Sequence, residues 1–367
     1  MKIISILGTR PEAIKMAPVI KELQKYPHEI ESVICVTGQH RQMLDQVLEL
    51  FAIHPDIDLN LMQPNQRLAL LTARLFEALE GVVEKVRPDW ILAQGDTTTV
   101  FVAAVMAYYH DIRFGHVEAG LRTNDKRRPF PEEMNRRLAD AAADACFAPT
   151  EGARRALLRE GFADAAIHVT GNTIVDALLE IAAKAFHWET SPLQGIPQTE
   201  PLVLITAHRR ESFGEPFREL CQAIRELAIS FPRARFIYPV HLNPNVRQPV
   251  GEILSGLKNV HLIDPLDYLT LVHLMKRSLL ILTDSGGIQE EAPTFGVPVL
   301  VMRDTTERPE GVEAGVARLV GTSHQRIVAE ASRVLAEAPL QREGIPHNPY
   351  GDGHAAERIV AILRKTG

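Results

Sequence analysis

Residues 279–292 read LLILTDSGGIQEEA: an apolar run stops at Asp284-Ser285-Gly286-Gly287, and a helical stretch with two carboxylates in its first turns follows. This is the outline of a nucleotide diphosphate site at a strand-to-helix corner. Free backbone N–H groups at a helix start attract phosphate oxygens, and two glycines let the backbone come close with no Cβ in the way. One turn on, Glu290 or Glu291 stands where a carboxylate accepts hydrogen bonds from ribose hydroxyls. A corner of this kind belongs to parallel α/β sheets, so the rest of the chain is read for the same alternation.

Short β-branched runs do alternate with longer helical patterns throughout, the signature of parallel sheets with crossover helices. Strands are expected at Lys2 to Leu7, Ser32 to Val36, Trp90 to Ala93, Phe114 to Val117, Ala145 to Ala148 and Ile167 to Val169, with helices at Ala13 to Lys25, Leu68 to Val86 and Thr98 to Tyr109. A second series covers Leu202 to Thr206, Arg235 to Pro239, Val260 to Ile263, Leu279 to Leu282 and Val297 to Val301. The expected domains are 1–185 and 202–353, separated by a linker over 186–201 rich in Pro, Thr, Ser and Gln. An amphipathic helix in 354–367 is expected to return to the first domain. The fold class is therefore α/β: two Rossmann-like, doubly wound domains facing a central cleft.

At 367 residues the chain exceeds what one core usually supports. Apolar residues make up 46% and charged residues 23%, an ordinary globular balance, and no run is long enough to span a bilayer. The net charge of -6 argues against general nucleic-acid binding, although a local cluster such as Lys126-Arg127-Arg128 suits a small phosphorylated ligand. Cys35, Cys146 and Cys221 lie far apart with no CxxC pair and read as buried thiols in a reducing compartment. Ile3 to Leu7 is too short an apolar run for a signal peptide, so a cytoplasmic location is the expectation.

In open parallel sheets, ligands bind beyond the carboxyl ends of the strands. Those ends carry Gly8-Thr9-Arg10, Thr37-Gly38-Gln39-His40-Arg41, Gln94-Gly95-Asp96 and Glu118-Ala119-Gly120 in the first half, and His208-Arg209-Arg210-Glu211, His241, Asp264, Asp284-Ser285 and Arg303 in the second. One polar loop means little, but ionisable groups at almost every strand end mark one functional edge on each sheet. Asp96, Glu118 and Glu132 are separated carboxylates of the kind that transfer protons at carbon on opposite faces of a sugar. Arg10, at a tight turn with Pro11 opening a helix, is placed to pair with phosphate oxygens, and His208 and Arg209 suit a diphosphate. GxGxxG, P-loop, HExxH and GxSxG patterns are absent, so bound NAD, a P-loop ATPase, a metal and a serine nucleophile have no support.

Taken in order, the segments resemble a known family. Gly8-Thr9-Arg10-Pro11-Glu12, Thr37-Gly38-Gln39-His40, Gly95-Asp96-Thr97, His116-Val117-Glu118-Ala119-Gly120-Leu121-Arg122, Pro131-Glu132-Glu133-Met134-Asn135-Arg136, His208-Arg209-Arg210-Glu211, Asp284 to Glu291 and Thr305-Thr306-Glu307-Arg308-Pro309-Glu310 together resemble the non-hydrolysing bacterial UDP-N-acetylglucosamine 2-epimerases. The resemblance implies a GT-B-like architecture, a homodimer, and reversible conversion of UDP-GlcNAc to UDP-ManNAc with no added cofactor. It assigns the diphosphate to Arg10, His208, Ser285, Gly286, Gly287 and Arg308, and the ribose to Glu291. Lys15 is placed near the sugar or phosphates, and Asp96, Glu118 and Glu132 are the acid/base set. It also implies an activating second UDP-GlcNAc at Gln39, Gln66, Glu133, Arg209 and His241; Pro64-Asn65-Gln66-Arg67 departs from the family's usual pattern there.

Carbon 2 of the sugar has no adjacent carbonyl, so direct proton removal is too unfavourable, and the fingerprint for bound NAD is missing. Loss of UDP from carbon 1 acidifies the proton on carbon 2 and leads to a 2-acetamidoglucal. Which carboxylate serves which face stays open. The rival readings are a hydrolysing epimerase that releases UDP and ManNAc, a GT-B glycosyltransferase, and a non-catalytic UDP-sugar sensor.

Overall fold

The computed structural model describes residues 1–38, 41–61, 66–337 and 348–366. Its first strand shows why the chain folds as it does. β1 (Lys2–Leu7) is apolar on both faces, and all but its first residue are buried, as a parallel strand covered by helices on both sides requires. β2 (Glu31–Val36), β3 (Ile57–Asp58), β4 (Trp90–Gln94), β5 (Arg113–Val117), β6 (Ala145–Ala148) and β7 (Ile167–Val169) join it in the order β3-β2-β1-β4-β5-β6-β7, every pair parallel. The interleaved helices are α1 (Arg10–Gln24), α2 (Arg41–Leu50), α3 (Leu68–Val86), α4 (Thr98–Tyr109), α5 (Glu132–Ala141), α6 (Glu151–Arg159) and α7 (Thr173–Ala183).

The second sheet repeats the plan. β8 (Leu202–Thr206), β9 (Arg235–Pro239), β10 (Val260–Ile263), β11 (Leu280–Thr283), β12 (Val299–Val301) and β13 (Ala317–Leu319) run parallel in the order β10-β9-β8-β11-β12-β13. Its helices are α8 (Glu215–Ser230), α9 (Pro244–Leu254), α10 (Tyr268–Arg277), α11 (Gly286–Glu291), α12 (Pro309–Glu313) and α13 (His324–Ala336). The strand order of each sheet reverses once, between β1 and β4 and between β8 and β11, and such switch points are where open α/β sheets bind ligands.

Each sheet has its own core. Leu71, Leu75, Leu79 and Val82 recur at helical spacing on α3 and pack with Val100, Ala103, Ala104 and Ala107 of α4 against Ile4, Ile6, Ile91 and Phe114. In the second, Leu220, Ile224, Leu227 and Phe217 of α8 cover Val203, Ile205, Phe236 and Tyr238.

The compact units are Met1–Ala177 with Tyr350–Gly367, and Leu178–Pro349. The division falls inside α7, ahead of the expected boundary at 185. The stretch 186–201 is folded where a linker was expected: Trp188 and Leu193 are buried, and the Trp188 Nε1 donates to the Ile196 carbonyl at 3.0 Å. The C-terminal helix α14 (Ala355–Lys365) lies in the first unit and packs on α1. The Asp176 carboxylate accepts from its first amides, Ala355 at 3.3 Å and Ala356 at 2.8 Å, and Arg364 grips Glu29 through two bonds at 2.8 and 2.9 Å. The edge strands β3 and β13, two and three residues long, were not anticipated; so few residues carry no readable period.

After β5 the chain turns sharply, and Gly120 permits it. Its φ is +88°, its amide donates to Asp140 Oδ2 at 3.3 Å, and an added Cβ would stand 2.5 Å from the Ala153 carbonyl oxygen. Gly120→Ala therefore combines backbone strain with overpacking and is expected to cost about 2–4 kcal/mol. Urea unfolding checks it: the midpoint falls in the variant, and an unchanged midpoint would contradict the packing described.

Candidate active site

At the switch point of the first unit, β1 ends in Gly8 and Thr9, and α1 begins with Arg10 and Pro11. The Gly8 position excludes a side chain, because a Cβ there would clash with Thr99 Oγ1. Glu12 folds back over the turn: its Oε2 accepts from the amides of Gly8 at 2.7 Å and Thr9 at 2.5 Å, and Oε1 from the Thr97 hydroxyl. Those two amides are thus occupied internally, and what the turn offers a phosphate is the half-buried guanidinium of Arg10, which makes no ion pair among the described residues. Burial pushes Glu12 up to about 7, outweighing the hydroxyl and the two amides that favour its charge.

Glu118, the first residue past β5, is 8% exposed and takes the left-handed backbone at φ +70°. Lys15, on α1, pairs with its Oε1, and Gln94, at the end of β4, donates to its Oε2. A third donor, the Asn172 side-chain amide, reaches Oε1 at 3.0 Å. Lys15 and Glu118, assigned separately from sequence, are therefore one ion pair. Asp96 is more open, its side chain 28% exposed, and its Oδ2 accepts from Arg136 at 2.5 Å. Asn135 donates to the Asp96 carbonyl at 2.9 Å, so two residues of α5 tie Asp96 to the helix that Glu132 opens.

The neighbouring Glu133 is wholly buried. It accepts from the amides of Thr123 and Asn124 at 3.0 and 3.1 Å and from Arg136 and Arg137 at 3.3 and 3.1 Å. Those contacts make it the anchor of the 123–124 turn. Of the other residues that the resemblance assigns with it to a second ligand, Gln66 is partly buried just before α3, and Gln39 lies outside the described residues.

His116 was overlooked as a site residue. It is fully buried on β5, with Nδ1 at 2.6 Å from Asp140 Oδ1 and Nε2 at 2.7 Å from the Gly95 carbonyl. Both ring nitrogens face acceptors, so both carry protons and the ring is an imidazolium. Burial opposes that charge, but Asp140 outweighs it and holds the His116 value above its usual range. Asp140 is in turn paired with Arg122 at 2.7 Å. The sequence signal was a histidine inside the buried part of a parallel strand, between Gly115 and Val117, a position that demands a buried partner.

In the second unit, Asp284 is the organising carboxylate. It is fully buried past β11, and its Oδ2 accepts from the amides of His208 at 2.6 Å and Arg209 at 2.7 Å, which follow β8. The His208 ring stacks on His241, centroids 5.3 Å apart and planes at 12°. The Asn243 amide donates to His241 Nδ1 at 3.1 Å, which leaves the proton of a neutral ring on Nε2. Burial lowers the His208 value; His241 and Arg209 add to the effect, and Asp284 opposes it. Of the two capacities a histidine offers a diphosphate, charge and a hydrogen bond, this environment favours the neutral, hydrogen-bonding form.

Ser285 stands at the N-cap position of α11 without a side-chain capping bond, and Arg308 closes over the helix start: a Cβ on Gly286 would stand 3.4 Å from the Arg308 Cζ. Arg308 Nε donates to Glu290 at 2.9 Å, and the Tyr268 hydroxyl donates to Glu291 at 2.9 Å. Of the two carboxylates, Glu290 holds Arg308 and Glu291 accepts from Tyr268. Glu307 beside them lies at about 2; burial would raise it, but the guanidinium groups of Arg303 and Arg308 prevail. Among the described residues no cluster of three His, Cys, Asp or Glu is arranged to hold a metal ion, and no helix is long and apolar enough to cross a membrane.

A family model described as UDP-N-acetylglucosamine 2-epimerase matches residues 21–364. The chain belongs to this family. It is 52% identical to the UDP-N-acetylglucosamine 2-epimerase of Escherichia coli (strain K12) over 371 residues, which covers 99% of this chain and 98% of that protein. It is also similar to the crystal structure of UDP-GlcNAc 2-epimerase from Neisseria meningitidis bound to UDP-GlcNAc, with 47% identity, a TM-score of 0.89 and 100% of each chain covered. For the UDP-GlcNAc 2-epimerase of Methanocaldococcus jannaschii in complex with UDP-GlcNAc and UDP, the identity is 36% and the TM-score 0.84, again over 100% of both chains. In this epimerase-family chain Asp96, Glu118, Glu132 and Lys15 belong to the first unit, and His208, His241, Arg308 and the Ser285–Gly287 corner to the second.

The Glu12 carboxyl links the site to pH. Its value is raised from 4.5 to about 7, so the folded protein holds a proton that the unfolded chain releases. The stability this confers is complete below about 4.5 and is lost as pH rises through about 7. Glu12→Gln keeps an oxygen for both amides and points an N–H at Thr97. Relative to the variant, the wild type is expected to lose up to about 3 kcal/mol of stability across that window, at about 1.4 kcal/mol per pH unit. Denaturant unfolding at a series of pH values decides; parallel curves for the two proteins would refute the assignment.

Proposed function

We propose that this chain interconverts UDP-GlcNAc and UDP-ManNAc without hydrolysis, by elimination and re-addition of UDP. The observation that carries the reading is Glu118, a nearly buried carboxylate past a strand end, fixed by one cation and two neutral amides. A group so held is preorganised for proton transfer at carbon.

In the proposed reaction the C1–O bond breaks as a carboxylate takes the proton from carbon 2. The products of that step are UDP and 2-acetamidoglucal, with a double bond between carbons 1 and 2. A proton then reaches carbon 2 from the opposite face, and a UDP β-phosphate oxygen adds back to carbon 1. Asp96, Glu118 and Glu132 share the proton transfers, with Lys15 neutralising Glu118. Arg10, His208, Arg308 and the Ser285–Gly287 amides bear the charge that develops on the departing diphosphate, and Glu291 binds the ribose. His208 contributes a hydrogen bond to the diphosphate, and the guanidinium groups supply the positive charge. Water must be kept from the glucal, since its loss would end the cycle.

Further parts of this reading are a cytoplasmic homodimer that supplies ManNAc-type sugars for surface polysaccharide. Activation by a second UDP-GlcNAc at Gln39, Gln66, Glu133, Arg209 and His241 completes it, and Arg209 and His241, which flank His208, are the members best placed for that role.

Phosphorus NMR of the protein with UDP-GlcNAc alone tests the reading. The expected outcome is a mixture of two UDP-sugars with no accumulating free UDP; stoichiometric UDP with free ManNAc would establish the hydrolysing reaction instead. Glu118→Gln and Asp96→Asn are each expected to lower turnover by about 100-fold or more while still binding UDP. Wild-type rates in either variant would remove that residue from the proton-transfer set.

A further inference from the structure

The mechanism above uses Glu118 but does not explain what fixes the plane of its carboxylate. Lys15 alone does not: an ammonium on a flexible stem is a point charge with rotatable donors, and it tolerates many carboxylate orientations. Gln94 holds the second oxygen from β4. The remaining donor, Asn172, comes from the loop between β7 and α7 and is 3% exposed.

Asn172 is itself locked on three sides. Its Oδ1 accepts from the Ile174 amide at 3.1 Å, capping α7, and this turns its NH₂ toward Glu118. Its backbone N–H donates to the Tyr350 carbonyl at 2.7 Å, joining it to the segment that re-enters the first unit. The two backbones are in close contact: a Cβ on Gly171 would stand 3.4 Å from Gly351 Cα, and one on Gly351 would stand 3.3 Å from the Asn172 nitrogen. The side chain cannot leave Glu118 without giving up the α7 cap, and the backbone cannot shift without moving the returning chain.

We propose that Asn172 is a positioning residue for the reaction, orienting the Glu118 carboxylate toward the sugar from the point where the returning chain meets β7. The role rests on the reading of Glu118 as a proton-transfer group. A neutral donor suits it, because it fixes the carboxylate plane with less loss of basicity than a second cation would impose.

Asn172→Ser separates this role from a structural one. A serine oxygen still caps α7, but its hydroxyl is too short to reach Glu118. The variant is expected to lose about 10- to 100-fold in kcat, the scale of one hydrogen bond to a charged group, with KM, UDP affinity and Tm near wild type. Asn172→Asp keeps the cap and the size but faces Glu118 with a second carboxylate. Its activity relative to wild type should rise as the pH falls and Asp at 172 gains a proton to donate. Wild-type kcat in Asn172→Ser, or a loss of kcat accompanied by lower Tm or weaker UDP binding, would overturn the positioning role. The wild type is run alongside: if it leaves UDP-GlcNAc unchanged, the proposed reaction itself fails, and this role with it.

Discussion

The ion pair between Lys15 and Glu118 is the interaction on which the first unit's functional edge depends. A buried carboxylate without a partner would be too costly to keep, and this one is met by donors from α1, from β4 and from the loop before α7. Three segments distant in sequence are thereby held at one point. The strain that Glu118 carries at φ +70° is sustained by that set of contacts. Behind it, the imidazolium of His116 ties the Gly95 carbonyl to Asp140, so the turn that presents Asp96 is fixed by charge as well.

The two units solve the same problem in different ways. In each, a buried carboxylate ties down the turn after the first strand: Glu12 from its own helix in the first, Asp284 from the neighbouring central strand in the second. The amides of Gly8, Thr9, His208 and Arg209 are consequently occupied within the fold. For the proposed reaction this leaves side-chain cations and the Ser285–Gly287 corner beneath Arg308 as the groups for the diphosphate. That arrangement differs from a glycine-rich phosphate loop, in which the first turn itself cradles the ligand, and the sequence carries no GxGxxG.

Much of this architecture was legible in the residues. Apolar runs such as Lys2 to Leu7 and Leu202 to Thr206 have no plausible use except as buried parallel strands, and the polar groups at their ends mark the edge that carries the chemistry. What could not be read was who pairs with whom. The contacts of Glu12 with the Gly8 and Thr9 amides and of Asn172 with Glu118 left no mark in the sequence, because burial and partners arise only when distant segments meet. The same limit applied to 186–201, whose polar composition hid the packing of Trp188 and Leu193. Gln39, read as part of a second ligand site, lies outside the described residues.

The central claim is that carbon 2 loses its proton to a carboxylate while UDP departs from carbon 1. Proton NMR of UDP-GlcNAc turned over in D₂O addresses it directly. The account predicts UDP-ManNAc with deuterium at carbon 2, and the same label appearing in recovered UDP-GlcNAc as the reaction reverses. Epimerised product that keeps its original hydrogen at carbon 2 would contradict it.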